Sequence, residues 1–366
     1  MTTPSFTTEK AWTDYCRDTL ATVMPTLKQF GFALDDKQVH IGGERYIMSP
    51  TKLVLVGHHE DKRVVIKVSD NIAGTAEIDR ERECRTLIDK IPFAYKTFLT
   101  PRELLYTKTG PFTIFVTEFI EQESTFIERP FTEQFFIALR SFETQESVHA
   151  TTTGHRQVVE STFGMMSSTT YQAKMAGYIA NTLRITESDT EYRKYSPVLT
   201  RAASVFADGH HIVDLYTGFL THADFVPHNI RVHGRDIYLL DHSSIYFGNK
   251  YDGWARFINF MILYHRDLEH ALVEYVKDNR TPEESESLRL MRIYRLTELI
   301  HYYAERSTRS QEDLLTLDKI RITFWTKVLD ALLNENSFPE GVIAEYQQQR
   351  DSLRSNEEKD RQKILH

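Results

Sequence analysis

Cysteine is nearly missing from this chain, with only Cys16 and Cys84 among 366 residues. Two thiols cannot staple a disulfide scaffold or build a cysteine-ligated zinc site, and they fit a reducing cytoplasm. Long hydrophobic runs are missing as well. The strongest in the C-terminal half, Phe257 to Tyr264, falls far short of the roughly 20 apolar residues needed to span a bilayer, so a soluble protein with no membrane partner is expected. The opening MTTPSFTTEKAW has no basic stretch followed by an apolar one, and no secretory leader is read there. Positive charge is in deficit too: the net charge is −8 and the pI is near 6.0. A nucleic acid is therefore not expected as the main partner, because phosphate backbones demand a basic surface.

What is present is ordinary globular material, with 41% hydrophobic and 26% charged residues. At 366 residues the chain is too long for one small core, so two domains or two lobes are expected. An opening helix, Lys10 to Phe30, is followed by four β-rich runs between Gln38 and Val68: VHIGG, ERYIM, KLVLVG and RVVIKV. The turn GHHEDK makes the last two a hairpin. A helix is expected over Ala76 to Ile91, stopped by Pro92, and two more strands over Glu103–Thr107 and Phe112–Phe119. Residues 1–120 thus read as an antiparallel sheet with one inserted helix. Residues 121–366 read as mostly helical, interrupted by one hairpin, IRV-HGRD-IYLLD. The Ser/Thr-rich stretch from Thr144 to Thr170 reads as a mobile loop with short helical pieces, and the polar end, Gln347 to His366, as a frayed helix or tail.

The stretch GFLTHADFVPHNIRV, Gly218 to Val232, gathers His222, Asp224 and Asn229 just ahead of that hairpin. Asn229 immediately precedes the strand Ile230 to Val232, and Asp241 immediately follows the strand Ile237 to Leu240. The open ends of an antiparallel pair adjoin, with strands about 5 Å apart, so these two side chains should be neighbours. Asp224 lies in the loop that enters the same end. A carboxylate, an amide oxygen and a second carboxylate converging in this way suit Mg²⁺, whereas the nearby histidines lack a four-ligand zinc spacing. His222 reads as a residue that orients the loop by hydrogen bonds to backbone, not as a base.

The spacing His-x-Asp-x-x-x-x-Asn followed by a metal-binding Asp is the phosphoryl-transfer arrangement of kinase catalytic loops. With THADFVPHN (Thr221 to Asn229) and YLLDHSS (Tyr238 to Ser244), the chain resembles the aminoglycoside phosphotransferase and choline kinase group, small-molecule kinases with a protein-kinase-like fold. Ala223 stands where that group has glycine. The resemblance implies an α+β, bilobal fold: an antiparallel-sheet N-terminal lobe (1–120) that binds nucleotide, and a mostly helical C-terminal lobe (121–366) with the catalytic loop and acceptor site. It implies further that Lys67, in VVIKV, contacts the ATP phosphates and that Glu83, on the following helix, pairs with it; Glu77 and Glu81 are the local competitors. Glu118 and Ile120, in VTEFI, would meet adenine through their backbone groups. The phosphate-covering turn, Met48-Ser49-Pro50-Thr51, lacks the glycines of protein kinases, and Ser49 and Thr51 are the groups it offers to phosphate. GNKYDGWARF resembles the segment after the metal aspartate, with Asp252 structural.

The function expected on this reading is transfer of the γ-phosphoryl group of ATP, or of GTP, to a hydroxyl of a small molecule such as an aminoglycoside, a sugar or choline. Asp224 would accept the hydroxyl proton, and Asn229 and Asp241 would hold Mg²⁺. A protein kinase is the first alternative, against which stand Asp241-His242-Ser243 in place of Asp-Phe-Gly and the lack of Ala-Pro-Glu. A catalytically silent nucleotide-binding scaffold is the second.

Overall fold

Alternation along the strands decides which side chains face the first core. In the computed structural model, which describes residues 6, 8–48, 50–88, 90–93, 98–187 and 193–365, with the side chains of 363–365 excepted, β1 (Phe32–Leu34), β2 (Leu53–His59), β3 (Lys62–Ser69), β4 (Glu103–Thr109) and β5 (Phe112–Glu118) form one sheet. Its order is β1-β2-β3-β5-β4, with every pair antiparallel. Val64, Ile66 and Val68 alternate inward with Leu53, Leu55, Ile114 and Val116, and pack against Trp12, Cys16, Val23 and Leu27 of helix α1 (Glu9–Gln29). The period of two then turns Lys67 to the opposite face, where helix α2 (Ile72–Ile88) lies. Asn71 caps α2 by accepting the Gly74 N–H (2.9 Å). Gly74 is required by close approach, since a Cβ there would stand 1.9 Å from the Thr51 carbonyl oxygen.

The C-terminal part is mostly helical: α3 (Phe131–Glu146), α4 (Thr153–Phe163), α5 (Ser168–Thr186), α6 (Ser196–Asp208), α7 (His210–Leu215), α8 (Asp252–Tyr264), α9 (Arg266–Asn279), α10 (Pro282–Ser307), α11 (Glu312–Leu333), α12 (Glu340–Leu353) and α13 (Asn356–Leu365). Helix α10 runs through its middle, packed on α5, α8 and α11, and buries Leu290, Met291, Ile293, Leu296 and Ile300. Two small antiparallel pairs lie against this core, β6 (Thr217–His222) with β9 (Ile245–Asn249) and β7 (Ile230–His233) with β8 (Asp236–Leu239). No described helix is long and apolar enough to cross a membrane.

Several expectations need correcting. VHIGG and ERYIM are not strands but 3-10 turns, Val39–Ile41 and Gly43–Met48. The reason lies at the sheet edge. The Gln38 amide accepts the Val56 N–H (2.9 Å) and donates to the Val56 carbonyl (2.8 Å), taking the positions on β2 that an added strand would use. Gly43, at φ +60, then turns the chain out of the extended region. The Ser/Thr-rich stretch is largely helix, because Thr152 and Ser167 act as N-caps of α4 and α5. The polar end is helical as well: Glu358, almost fully buried, accepts the Glu44 N–H at 3.3 Å and docks α13 on the 43–48 turn.

Candidate active site

Register in the β7–β8 hairpin sets the centre of the site. The four-residue turn pairs Ile230 with Leu239, and the Leu240 N–H donates to the Asn229 carbonyl (2.8 Å), so Asn229 and Asp241 flank the same open end. Asp241 adopts a left-handed conformation (φ 54, ψ 55), a region that aspartate tolerates better than most residues. Its carboxylate accepts from the Ser243 hydroxyl (2.9 Å) and lies 3.8 Å from the Lys52 ammonium. Burial pushes the Asp241 carboxyl up, but Lys67, Lys52 and His222 outweigh it and hold the group well below the usual carboxylate range.

His222 ties the loop to this end. Its Nδ1 accepts the Asp224 N–H (3.1 Å), so Nε2 carries the proton and donates to the carbonyls of Asp241 (2.9 Å) and Leu240 (3.1 Å). Burial lowers its pKa, which keeps the imidazole neutral, and both nitrogens are engaged. The Asn229 amide nitrogen donates to the Asp224 main-chain oxygen (2.8 Å) and lies 3.3 Å from the Asp224 carboxylate, which leaves its Oδ1 for another partner.

The Asp224 carboxylate has a partner that sequence reasoning missed. Arg256, in the first turns of α8, donates through Nη2 (2.7 Å) and Nε (3.1 Å) to Asp224 Oδ1. Burial raises the Asp224 pKa, yet Arg256 and His228 bring it down to about 2. No local signal marks Arg256, since it lies beyond the hairpin and β9, in a different element. The pair is 38% and 25% exposed, so it stands where solvent or a substrate can reach it.

Across the cleft, Lys67 pairs with Glu81 (2.6 Å), not with Glu83. Glu81 is 4% exposed, whereas Glu83 points outward and, among the described residues, meets the Thr162 hydroxyl at 3.5 Å. Two residues on a helix are about 200° apart, so one of the two glutamates must face away from the sheet. Ile78, Glu81, Arg85 and Ile88 form the buried stripe, and that stripe is the signal by which Glu81 could have been chosen. Arg80 then locks the helix in place, donating to the carbonyls of Thr162, Phe163, Ser243 and Ile245 at 3.0–3.1 Å. Glu81→Gln is expected to cost about 1–3 kcal/mol of stability, because it weakens a buried charge-assisted pair, while Glu83→Gln should stay within about 0.5 kcal/mol. Denaturant melts of both variants check this, and equal effects would contradict the pairing.

The remaining expected groups are placed as follows. Ser49 lies outside the described residues. The Thr51 hydroxyl donates to Glu77 at 2.5 Å, and Glu77 also pairs with Lys52. The Glu118 N–H donates to the Arg102 carbonyl (3.0 Å), and Ile120 lies past the last ladder pair of β5. Among the described residues no three His, Cys, Asp or Glu side chains converge as a metal cluster. Asp241 and the Asn229 Oδ1 form instead a pair of hard oxygen donors, which fits Mg²⁺, an ion that keeps waters and takes few protein ligands.

A five-stranded antiparallel sheet with α2 on one face, a helical C-terminal part, and a catalytic-loop-like hairpin between them define the kinase-like fold of small-molecule phosphotransferases. Solved structures agree. Aminoglycoside phosphotransferase APH(4)-Ia, as a thermostable mutant without ligand, aligns over 85% of this chain and 97% of its own at 16% identity, with a TM-score of 0.59. Macrolide 2'-phosphotransferase type I aligns over 82% and 96% at 11% identity and a TM-score of 0.54. Spectinomycin phosphotransferase APH(9)-Ia, in complex with ADP and spectinomycin, aligns over 87% and 92% at 14% identity and a TM-score of 0.52. By sequence alone, no family model and no curated protein matches the chain.

Proposed function

We propose that this protein transfers the γ-phosphoryl group of ATP to a hydroxyl of a small molecule. The observation that carries this reading is the convergence of Asp224, Asn229 and Asp241 at one end of a hairpin, facing a buried Lys67–Glu81 ion pair on the sheet. In this reading residues 1–120 bind the nucleotide, and residues 121–366 supply the catalytic loop and the acceptor site. Lys67, held straight by Glu81, neutralises phosphate charge, and the Glu118 carbonyl and Ile120 N–H receive the base. Asn229 Oδ1 and Asp241 hold Mg²⁺, which when bound draws negative charge off the phosphates. Asp224 receives the acceptor hydroxyl, within hydrogen-bond reach, and aligns its oxygen for in-line attack. Because the transition state is loose, alignment and fixed positive charge supply most of the acceleration. The complexes of related folds with nucleotide and antibiotic, such as the one with ADP and spectinomycin, support a small-molecule acceptor. Cys16 and Cys84, both buried and unbridged, support a reducing cytoplasm.

Thermal shift with Mg-ATP tests the proposal. At a nucleotide concentration 100-fold above Kd the expected stabilisation is about 2.7 kcal/mol, a rise of several degrees in Tm, and Asp241→Ala should abolish it. If neither Mg-ATP nor Mg-GTP shifts the wild type, the phosphotransferase reading fails.

A further inference from the structure

One guanidinium joins the two halves of the site. Arg80 immediately precedes Glu81 on α2, and adjacent residues on a helix stand about 100° apart. Glu81 therefore turns to Lys67 on the sheet while Arg80 turns to the C-terminal part. Its Nε donates to the Ser243 carbonyl (3.0 Å), its Nη1 to Thr162 (3.0 Å), and its Nη2 to Phe163 (3.1 Å) and Ile245 (3.0 Å). Four donor bonds from a group with five N–H donors thus go to main-chain oxygens, and among the described residues no carboxylate pairs with Arg80.

The acceptors come from two stretches of chain, and the second bears directly on the chemistry. Thr162 and Phe163 end α4, where the last carbonyls of a helix lack intrahelical partners and favour a cation. Ser243 and Ile245 flank Ser244, in the turn after Asp241. The Ser243 hydroxyl donates to the Asp241 carboxylate (2.9 Å), and the Ser244 carbonyl accepts the Ala223 N–H (2.9 Å), between His222 and Asp224. The main chain that Arg80 grips at 243 and 245 therefore carries the Asp241 carboxylate on one side and the Asp224 loop on the other. The Lys67–Glu81 pair ties α2 only to the sheet. Arg80 adds a tie from α2 to the Asp241 turn.

We propose that Arg80 is a positioning residue for phosphoryl transfer, a brace that holds the Lys67–Glu81 pair, Asp241 and the Asp224 loop in one arrangement. This rests on the phosphotransferase reading for the reaction that the brace serves. Arginine is the residue required, because one planar fork has to reach the end of α4 and the turn after Asp241 at the same time. A lysine ammonium, a single point on a flexible stem, reaches one of them but does not span both.

Because the brace acts through the main chain, its loss should show in the full chain without nucleotide or metal. Hydrogen exchange of the Ala223 and Ser244 amides, which donate to the Ser244 and Asp241 carbonyls, is expected to quicken about 10-fold in Arg80→Met and in the milder Arg80→Lys. In both variants the Mg²⁺ concentration that half-saturates the ATP-dependent thermal shift should rise about 10-fold or more, as when a group that orients a metal ligand is lost. The kcat should fall about 10²-fold, with KM for the acceptor unchanged. Arg82→Met, on the same helix, removes an exposed pair with Glu103 (2.9 Å) and should alter none of these. Wild-type exchange at both amides in a folded Arg80 variant overturns the brace, whatever happens to the rate. A lowered Tm with an unchanged Mg²⁺ requirement also overturns it, since that is the result for an arginine that only caps α4. Quickened exchange in a chain that binds neither Mg-ATP nor Mg-GTP leaves the mechanical tie standing and refutes the phosphotransferase reading. Normal ADP release with unchanged exchange in the Arg80 variants does the reverse.

Discussion

Asp224→Asn is expected to lower the rate of phosphoryl transfer about 10²–10⁴-fold while leaving Mg-ATP binding nearly unchanged. The amide keeps the shape of the side chain and its contact with Asn229, but loses the charge that Arg256 holds in place. Single-turnover ADP release with any accepted alcohol measures the loss, and a fall of less than tenfold removes Asp224 from the chemistry. The pH dependence carries a second part of the same expectation. The folded pKa of about 2 lies below the ordinary carboxylate value of 3.8, so the charged form and the stability it contributes persist above that value and are lost only as pH falls through about 2. No acid limb near pH 4 should therefore arise from Asp224. In Arg256→Ala the effect of burial is less opposed, and an acid limb should move up into the accessible range.

Asp252→Ala is expected to cost about 3–5 kcal/mol of stability, the range for stripping a partner from a buried charge. Asp252 is fully buried, and it accepts from the Tyr171 hydroxyl (2.6 Å), the Tyr246 hydroxyl and the Arg295 guanidinium. Arg295 is itself only 3% exposed and is further held by Glu298 (2.6 Å) and the Tyr246 oxygen (2.7 Å). Burial works against the Arg295 charge, but Asp252 and Glu298 outweigh it and raise its pKa well above the usual value. The network joins α5, β9, α8 and α10, so its loss leaves Arg295 with Glu298 alone and removes the acceptor of the Tyr171 and Tyr246 hydroxyls where four elements meet. Urea unfolding of the single variant beside Asp252→Leu/Arg295→Met checks the cause. Removing both charges should recover much of the loss, and a single-variant effect below about 1 kcal/mol would contradict the account. Asp252 stands one helical turn before Arg256 on α8, so the same variant should also disturb the orientation of Asp224.

Much of the site follows from relations between near neighbours in the chain. Asn229 and Asp241 meet because a short turn between two strands sets their register, and a register is a local property of backbone hydrogen bonding. Lys67 leaves the α1 side of the sheet because strand side chains alternate. Charge, cysteine content and the lack of a membrane-length run are likewise properties of the sequence as written. Other features needed the whole fold. Glu81 rather than Glu83 meets Lys67 because the packed face of α2 sets its rotation, and Arg80 fixes that face through carbonyls of α4 and of the turn after Asp241. VHIGG and ERYIM have strand composition, yet the Gln38 side chain occupies their edge, an event that depends on how β2 presents Val56. Arg256 carries no local pattern that marks it. Periodicity fixes which way a side chain points within its own element, whereas the pairing of buried charges depends on which distant elements pack together and how much water they exclude. By itself, then, the sequence determined the hairpin that brings Asn229 and Asp241 together, and only the tertiary structure decided which charged groups of distant elements pair around it.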